Sequence, residues 1–126
     1  MRNYVGEVMK TDNVIVDKSK AFALRIIRLY KYLTETKKEF ILSKQLLRSG
    51  TSIGANVKEG IRGQSKADFY AKMNIALKEA SETEYWLELL HESDYLTDHE
   101  KDFESLYQEC QEVLRILMSI TKTRNK

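Results

Sequence analysis

The chain has 126 residues, contains no proline and one cysteine, and carries a net charge of +2. This length fits one domain with one core, and a lone cysteine excludes an intramolecular disulfide and favours a reducing compartment. No apolar run approaches the roughly 20 residues that cross a bilayer, and residues 1–20 lack the apolar centre of a secretory signal, so we expect a soluble, cytoplasmic protein with no membrane contact.

The charge is unevenly distributed along the chain. Residues 1–80 contain 16 Lys or Arg and 8 Asp or Glu, whereas residues 81–126 contain 5 and 11. Such asymmetry is typical of a protein with two faces for different partners, one of which can meet an acidic surface. Charge complementarity between packed helices explains it equally well, and the sequence leaves both interpretations open.

The first elements are an N-terminal arm and a helix. Residues 1–17 show no sustained apolar period, so we interpret them as an arm that is flexible or packs on the domain, with residues 13–16 compatible with a short strand. A first helix is predicted over about residues 18–36. Its apolar residues recur at helical spacing: Phe22, Ile26, Leu29, Tyr30 and Leu33.

A second helix is predicted over about residues 39–60, although this segment is rich in glycine. Its apolar positions keep helical phase throughout: Leu42, Leu46, Ile53 and Val57. Each interior glycine costs about 0.5–1 kcal/mol relative to alanine. We expect that close approach of a neighbouring helix over Gly50, Gly54 and Ala55 offsets this cost. A phosphate-binding loop is excluded, because the spacing and the following Lys-Ser/Thr of that motif are missing.

Two further helices are predicted over about residues 65–92 and 97–123. Ser65 followed by Asp68 is typical of a helix N-cap, and Thr97 with Glu100 has the spacing of a capping box. Both helices carry apolar stripes in steps of three and four. The sequence therefore predicts an all-α fold, an up-down antiparallel four-helix bundle in a single domain over residues 1–126.

The second helix also carries a basic ridge opposite its apolar stripe. Four of its members lie within an arc of about 80° around the helix axis, and the fifth follows just after the helix. The members are Lys44, Arg48, Lys58, Arg62 and Lys66. Such a ridge is able to contact the phosphates of RNA or DNA without reading the base sequence. The alternative is an ordinary solvated face.

The third helix has apolar residues on the side away from its core stripe: Ile75, Tyr85, Trp86 and Leu89. A stripe that includes tryptophan favours a protein interface, so we predict a homo-oligomer that uses this surface. The alternative is that the N-terminal arm covers the stripe.

No constellation typical of catalysis is present. Glu88 and His91 form one Glu-x-x-His pair, whereas a di-iron bundle needs two such pairs and two further glutamates. Cys110 occupies a core position flanked by Glu109 and Glu112, which disfavours a reactive thiolate. We therefore expect no catalytic residues, no metal and no cofactor.

Several local features of the chain form a recognisable set: the segments 45–48 and 49–56, Glu59-Gly60, Ser65-Lys66 with Phe69, and Ala76-Leu77 followed by Glu82. Together they resemble the 23S rRNA-intervening-sequence protein family. The likeness extends over about residues 14–120. It implies an up-down four-helix bundle that assembles into rings of five. It also implies the fold of the accessory variability protein of diversity-generating retroelements, which is similarly pentameric and binds nucleic acid and a reverse transcriptase.

These observations favour a non-catalytic, homo-oligomeric module that engages nucleic acid, or a partner that processes it, through the basic ridge. The competing hypothesis is a protein–protein adaptor that binds no nucleic acid and docks a basic partner on its acidic last two helices.

Overall fold

The computed structural model describes the backbone of residues 4–123 and the side chains of residues 14–123. It contains four α-helices, α1 (Tyr4–Glu35), α2 (Leu42–Ile61), α3 (Lys66–Glu92) and α4 (Glu100–Thr123), with a 3-10 turn over Thr97–His99. No strand occurs in this part of the chain. The predicted all-α architecture of four helices is confirmed.

Each helix packs mainly on two neighbours. The extensive contacts join α1 to α2, α2 to α3, α3 to α4, and α4 back to α1. Short connections make successive helices antiparallel, so the four helices stand at the corners of a square. The bundle thus has four sides, and the α1/α2 side is opposite the α3/α4 side. The α2/α3 side is likewise opposite the α1/α4 side.

The expected N-terminal arm is instead part of α1, which begins at Tyr4 rather than near residue 18. Ile15 is fully buried in the core and Ser19 lies one turn further along the same stripe. The serine interrupts the apolar pattern, which is why the sequence suggested a later start. Because α1 packs on α2 and α4, residues 14–16 form no strand and do not cover α3. Residues 1–3 of the expected arm lie outside the described residues.

The core is a single apolar cluster drawn from all four helices. Burial of this apolar surface is the main stabilising term of the fold. Ser49 and Thr83 are both fully buried beside it, and Thr83 Oγ1 donates a hydrogen bond to Ser49 Oγ at 2.8 Å. This pairing allows α2 and α3 to bury polar side chains where the two helices pack together.

The helix ends show which capping predictions hold. Ser65 Oγ accepts a hydrogen bond from the Asp68 amide at 3.1 Å, so the predicted N-cap of α3 is confirmed. Thr97 starts the 3-10 turn instead of capping α4. The carboxylate of Glu100 is turned away from it and lies 2.9 Å from His91 Nε2. The capping box predicted from Thr97 and Glu100 is therefore wrong.

A candidate nucleic-acid interface on the basic helix pair

The glycines of α2 bring this helix close to α1. A Cβ on Gly50 would lie 2.9 Å from two side-chain carbons of Ile26, and one on Gly54 would lie 3.3 Å from Ser19 Oγ. Ala55 does not take part, because it is exposed on the outer surface of α2. Close approach of α1 and α2 places their outer surfaces side by side, so that cations from both helices share the α1/α2 side.

Most residues of the predicted basic ridge are exposed and uncompensated. Lys44, Lys58 and Arg62 lie on the outer surface of α2, and none makes an ion pair with a described residue. Lys66 is also exposed, but it is the first residue of α3 and lies at the end of the bundle. Three of the five predicted cations therefore lie along one exposed helix surface.

Arg48 is held in a different way from the other ridge residues. Its guanidinium donates from one nitrogen to Glu79 Oε2 at 2.9 Å and from another to Glu82, so two carboxylates of α3 hold it at the same time. The hydrogen bond from Arg48 lowers the pKa of the Glu82 carboxyl, against a smaller opposing effect of burial. Arg48 thus belongs to the contact between α2 and α3, which corrects its assignment to the ridge.

Helix α1 supplies cations that the apolar pattern alone did not reveal. Lys20 and Lys31 are exposed and have no ion pair with a described residue. By helical spacing they lie on the side of α1 that continues the outer surface of α2. We call Lys20, Lys31, Lys44, Lys58 and Arg62 the basic face. Inspection of the exposed stripe of the first helix would have revealed its first two members.

Charge is segregated between the two halves of the bundle. Residues 14–62, which include α2 and most of α1, contain eleven Lys or Arg and four Asp or Glu; residues 66–123, which form α3 and α4, contain six and thirteen. Part of this charge joins the halves: Lys18 pairs with Glu112 at 3.0 Å, and Arg25 pairs with Glu109. Helix complementarity therefore accounts for some of the asymmetry, while the basic face remains uncompensated within the described chain.

The predicted apolar stripe on α3 is only partly exposed. Ile75 and Tyr85 expose 42% and 54% of their surface, whereas Trp86 and Leu89 are half-buried. Trp86 Nε1 donates to Glu82 Oε1 at 3.1 Å, which fixes the indole beside the contact with Arg48. The exposed apolar surface is thus smaller than the sequence predicted, and Trp86 has a structural partner within its own chain.

The two candidate reactive groups, the Glu88–His91 pair and Cys110, have structural surroundings that disfavour reactivity. Glu88 accepts a hydrogen bond from Tyr107, which raises the pKa of that tyrosine, and His91 stacks on Phe103 with ring centres 4.1 Å apart. Burial, followed by the charges of nearby glutamates, raises the pKa of the Cys110 thiol to about 12. Such a thiol carries almost no thiolate at neutral pH.

Other kinds of site have no candidate among the described residues. Their His, Cys, Asp and Glu side chains form no group of three or more able to hold a metal ion. None of the described helices is long and apolar enough to cross a membrane.

Comparison with known proteins places the chain in a family. Residues 11–119 match the model of the 23S rRNA-intervening sequence protein family. A solved structure from Bacteroides thetaiotaomicron, described as a protein of unknown function from the S23 ribosomal protein family, is 55% identical, with a TM-score of 0.85. The match covers 89% of this chain and 98% of that one. Among curated proteins none matches. The chain therefore belongs to the 23S rRNA-intervening sequence protein family.

Proposed function

We propose that the protein is a non-catalytic, homo-oligomeric module that binds RNA or DNA through the basic face. The observation that carries this proposal is the set of five exposed cations on the α1/α2 side without ion pairs in the described chain. The nearby carboxylate of Glu59 is turned to α3, where it pairs with Lys72 at 3.0 Å. The basic face is thus left to attract an external polyanion.

The binding expected of such a face is electrostatic and tolerant of sequence. Lysine and arginine side chains that contact phosphates release condensed counterions, so affinity falls steeply as salt is added. The five cations of one subunit give weak binding, but linked copies raise the effective concentration of the second and later contacts. We propose assembly into a homo-oligomer for this reason, with five subunits as the number that the family resemblance implies.

The test measures fluorescence anisotropy of labelled, mixed-sequence RNA and DNA oligonucleotides over a series of salt concentrations. Replacing Lys58 and Arg62 by glutamate should weaken binding about tenfold or more and flatten the salt dependence. The matched control replaces Lys101 and Lys122, exposed cations of α4, by glutamate, which changes the net charge equally. If the control weakens binding as much as the test variant, net charge rather than the basic face governs affinity.

The adaptor hypothesis makes a different prediction for the same experiment. If the wild-type protein binds neither RNA nor DNA at low salt, the proposed nucleic-acid function is wrong. The acidic surface of α3 and α4 and the exposed Ile75 and Tyr85 then favour a protein partner.

A further inference from the structure

A pocket of about 390 Å³ lies between α1 and α4, where the connection from α3 to α4 packs against them. Its apolar walls come from these two helices and that connection, and they are Leu29, Tyr32, Leu96, Phe103 and Leu106. Mostly apolar walls with a few polar groups at the mouth are typical of small-molecule sites, and this volume is at the lower end of their range. The pocket therefore has the size for a compact ligand with one ring system.

Two of the walls are aromatic rings that neighbouring histidines hold in place. The ring of Tyr32 meets that of His99 edge to face, with centres 4.7 Å apart. The ring of Phe103 stacks on that of His91 at 4.1 Å. Aromatic rings favour stacked and edge-to-face contacts with one another. Two preformed aromatic walls therefore favour a ligand whose apolar part is itself aromatic.

Charged side chains of both signs line the same pocket: Arg25, Arg28 and Asp102. Arg25 is engaged within the chain, because its guanidinium pairs with Glu109 and donates to Ser105 Oγ at 3.0 Å. Arg28 is exposed and makes no ion pair with a described residue. Arg28 is therefore the cation of this pocket that is able to pair with a carboxylate of a ligand.

The carboxylate of Asp102 is also open to a ligand. Its ionic neighbour in the described chain is His99, whose Nδ1 lies 3.5 Å from Oδ2, longer than an ordinary N–H···O hydrogen bond. The Asp102 side chain is 80% exposed. Arg25 Nη2 donates to the Asp102 backbone carbonyl at 3.3 Å, and Arg28 lies one helical turn further along α1. Arg28 and Asp102 thus place opposite charges on the two helices that border the pocket.

This pair of charges selects the head group of the ligand. A ligand with an anionic head alone meets the repulsion of Asp102, and one with a cationic head alone meets that of Arg28. A head group with both charges is able to pair with both side chains. A free α-amino acid carries its carboxylate and its ammonium group on one carbon, directly beside the side chain.

We propose that the α1/α4 pocket binds a free amino acid with an aromatic side chain. Its carboxylate pairs with Arg28, its ammonium group pairs with Asp102, and its ring lies between Tyr32 and Phe103. This inference goes beyond the proposed function and does not depend on it, because the basic face lies on the α1/α2 side of the bundle.

The first test compares three probes that share an indole ring: L-tryptophan, tryptamine, which lacks the carboxylate, and indole-3-propionate, which lacks the ammonium group. Saturation-transfer NMR titrations measure their binding to the wild-type protein. We expect a Kd of about 1 mM or lower for L-tryptophan and binding about fivefold weaker or more for each of the other two. Equal binding of the three probes, or no binding of L-tryptophan at about ten times that concentration, would overturn the proposal.

The second test removes each charge of the pocket in turn. Arg28→Gln should weaken binding of L-tryptophan about fivefold or more and leave tryptamine unchanged, because tryptamine has no carboxylate to lose a partner. Asp102→Asn should weaken L-tryptophan and tryptamine but not indole-3-propionate. Both side chains are exposed, so the fold should be retained, which circular dichroism checks.

Matched controls change the same kinds of charge elsewhere. Arg115→Gln and Glu104→Gln alter exposed residues of α4 that do not line the pocket, and both should bind L-tryptophan as the wild type does. Wild-type affinity of Arg28→Gln and Asp102→Asn, or an equal loss in the controls, would contradict recognition by these two side chains.

The outcomes separate this inference from the proposed function. A protein that binds oligonucleotides but not L-tryptophan sinks the amino-acid site alone. A protein that binds L-tryptophan in the way described but no oligonucleotide sinks the proposed function alone.

Discussion

Ser19 Oγ lies 3.3 Å from the point that a Cβ on Gly54 would occupy, so α1 and α2 meet through a serine and a glycine. One turn away, a Cβ on Gly50 would come within 2.9 Å of Ile26. The Ile26 atoms concerned are branched at its own Cβ, close to the backbone, so they cannot turn aside easily. The close contact of these helices therefore depends on the absence of side chains at two positions of α2.

We expect Gly50→Ala to destabilise the fold by about 1–2 kcal/mol, although alanine has the higher helix propensity. Gly54→Leu should cost about 1–3 kcal/mol for the same steric reason. Urea unfolding measures both free energies. Ala55→Leu adds a similar side chain at the exposed neighbouring position and should be nearly neutral. Wild-type stability of both glycine variants would contradict close packing.

Glu39 caps the start of α2 with its side chain. Its carboxylate accepts hydrogen bonds from the amides of Leu42 at 3.0 Å and Ser43 at 2.7 Å. Burial of the carboxyl opposes ionisation, but these bonds and a third from Ile41 lower its pKa below the ordinary value of 4.5. The stabilisation is therefore complete above pH 4.5 and is lost as the pH falls through the lowered pKa of the folded state.

Glu39→Gln should lower the unfolding free energy by about 1 kcal/mol at pH 7 and by less in acid. Urea unfolding at pH 7 and pH 3 provides the comparison. Glu35→Gln, at an exposed position of α1, is the matched control and should leave the unfolding free energy at pH 7 close to that of the wild type. A constant difference between the Glu39→Gln variant and wild type across this range would show that the cap does not depend on its charge.

Asp94 ends α3 in the left-handed backbone region, with φ of 69°. The amide of Tyr95 donates to the Leu90 carbonyl at 3.1 Å and that of Asp94 to the His91 carbonyl at 3.2 Å, which together form a Schellman motif. Glycine adopts this backbone conformation without the steric cost that a Cβ brings. Asp94→Gly should therefore raise the melting temperature, with a gain of about 0.5–1 kcal/mol. Lower stability would show that the aspartate side chain contributes more than its backbone strain costs.

Cys110 should be inert in the folded protein. It is fully buried, its Sγ lies 3.6 Å from the Ala80 carbonyl oxygen, and its pKa is raised to about 12. A chromogenic thiol reagent at pH 8 should therefore react only after addition of denaturant. Ser105→Cys, at an exposed position of the same helix, should add one rapidly reacting thiol and so verify the assay. Rapid reaction of the native wild type would show that α4 opens locally.

Helical periodicity in the sequence was sufficient to predict the four helices and the glycine-containing contact, because burial on one face imposes a regular spacing. It failed at Ser19, where a polar residue occupies a core position opposite a glycine. It also failed for Arg48, since its carboxylate partners on α3 lie more than 30 residues away in the chain. Periodicity on one helix predicts which residues face outward, but not which neighbouring helix they meet.

The cap of α2 shows a different reason for failure. Local sequence patterns for helix starts rest on short polar side chains at the N-cap, whereas Glu39 reaches the amides from further back along the chain. The pocket between α1 and α4 could not be predicted from the sequence for a third reason. Its walls come from separate elements, and its volume depends on how those elements pack.

The separation of positive α1 and α2 from negative α3 and α4 gives the bundle a transverse electric dipole. A polyanion exerts a torque on such a molecule, which turns the basic face forward before contact, over distances of about 10 Å in 0.1 M salt. Nearly balanced total charge also lets copies approach one another with little net repulsion. Added salt should therefore slow the encounter with nucleic acid far more than the encounter between subunits.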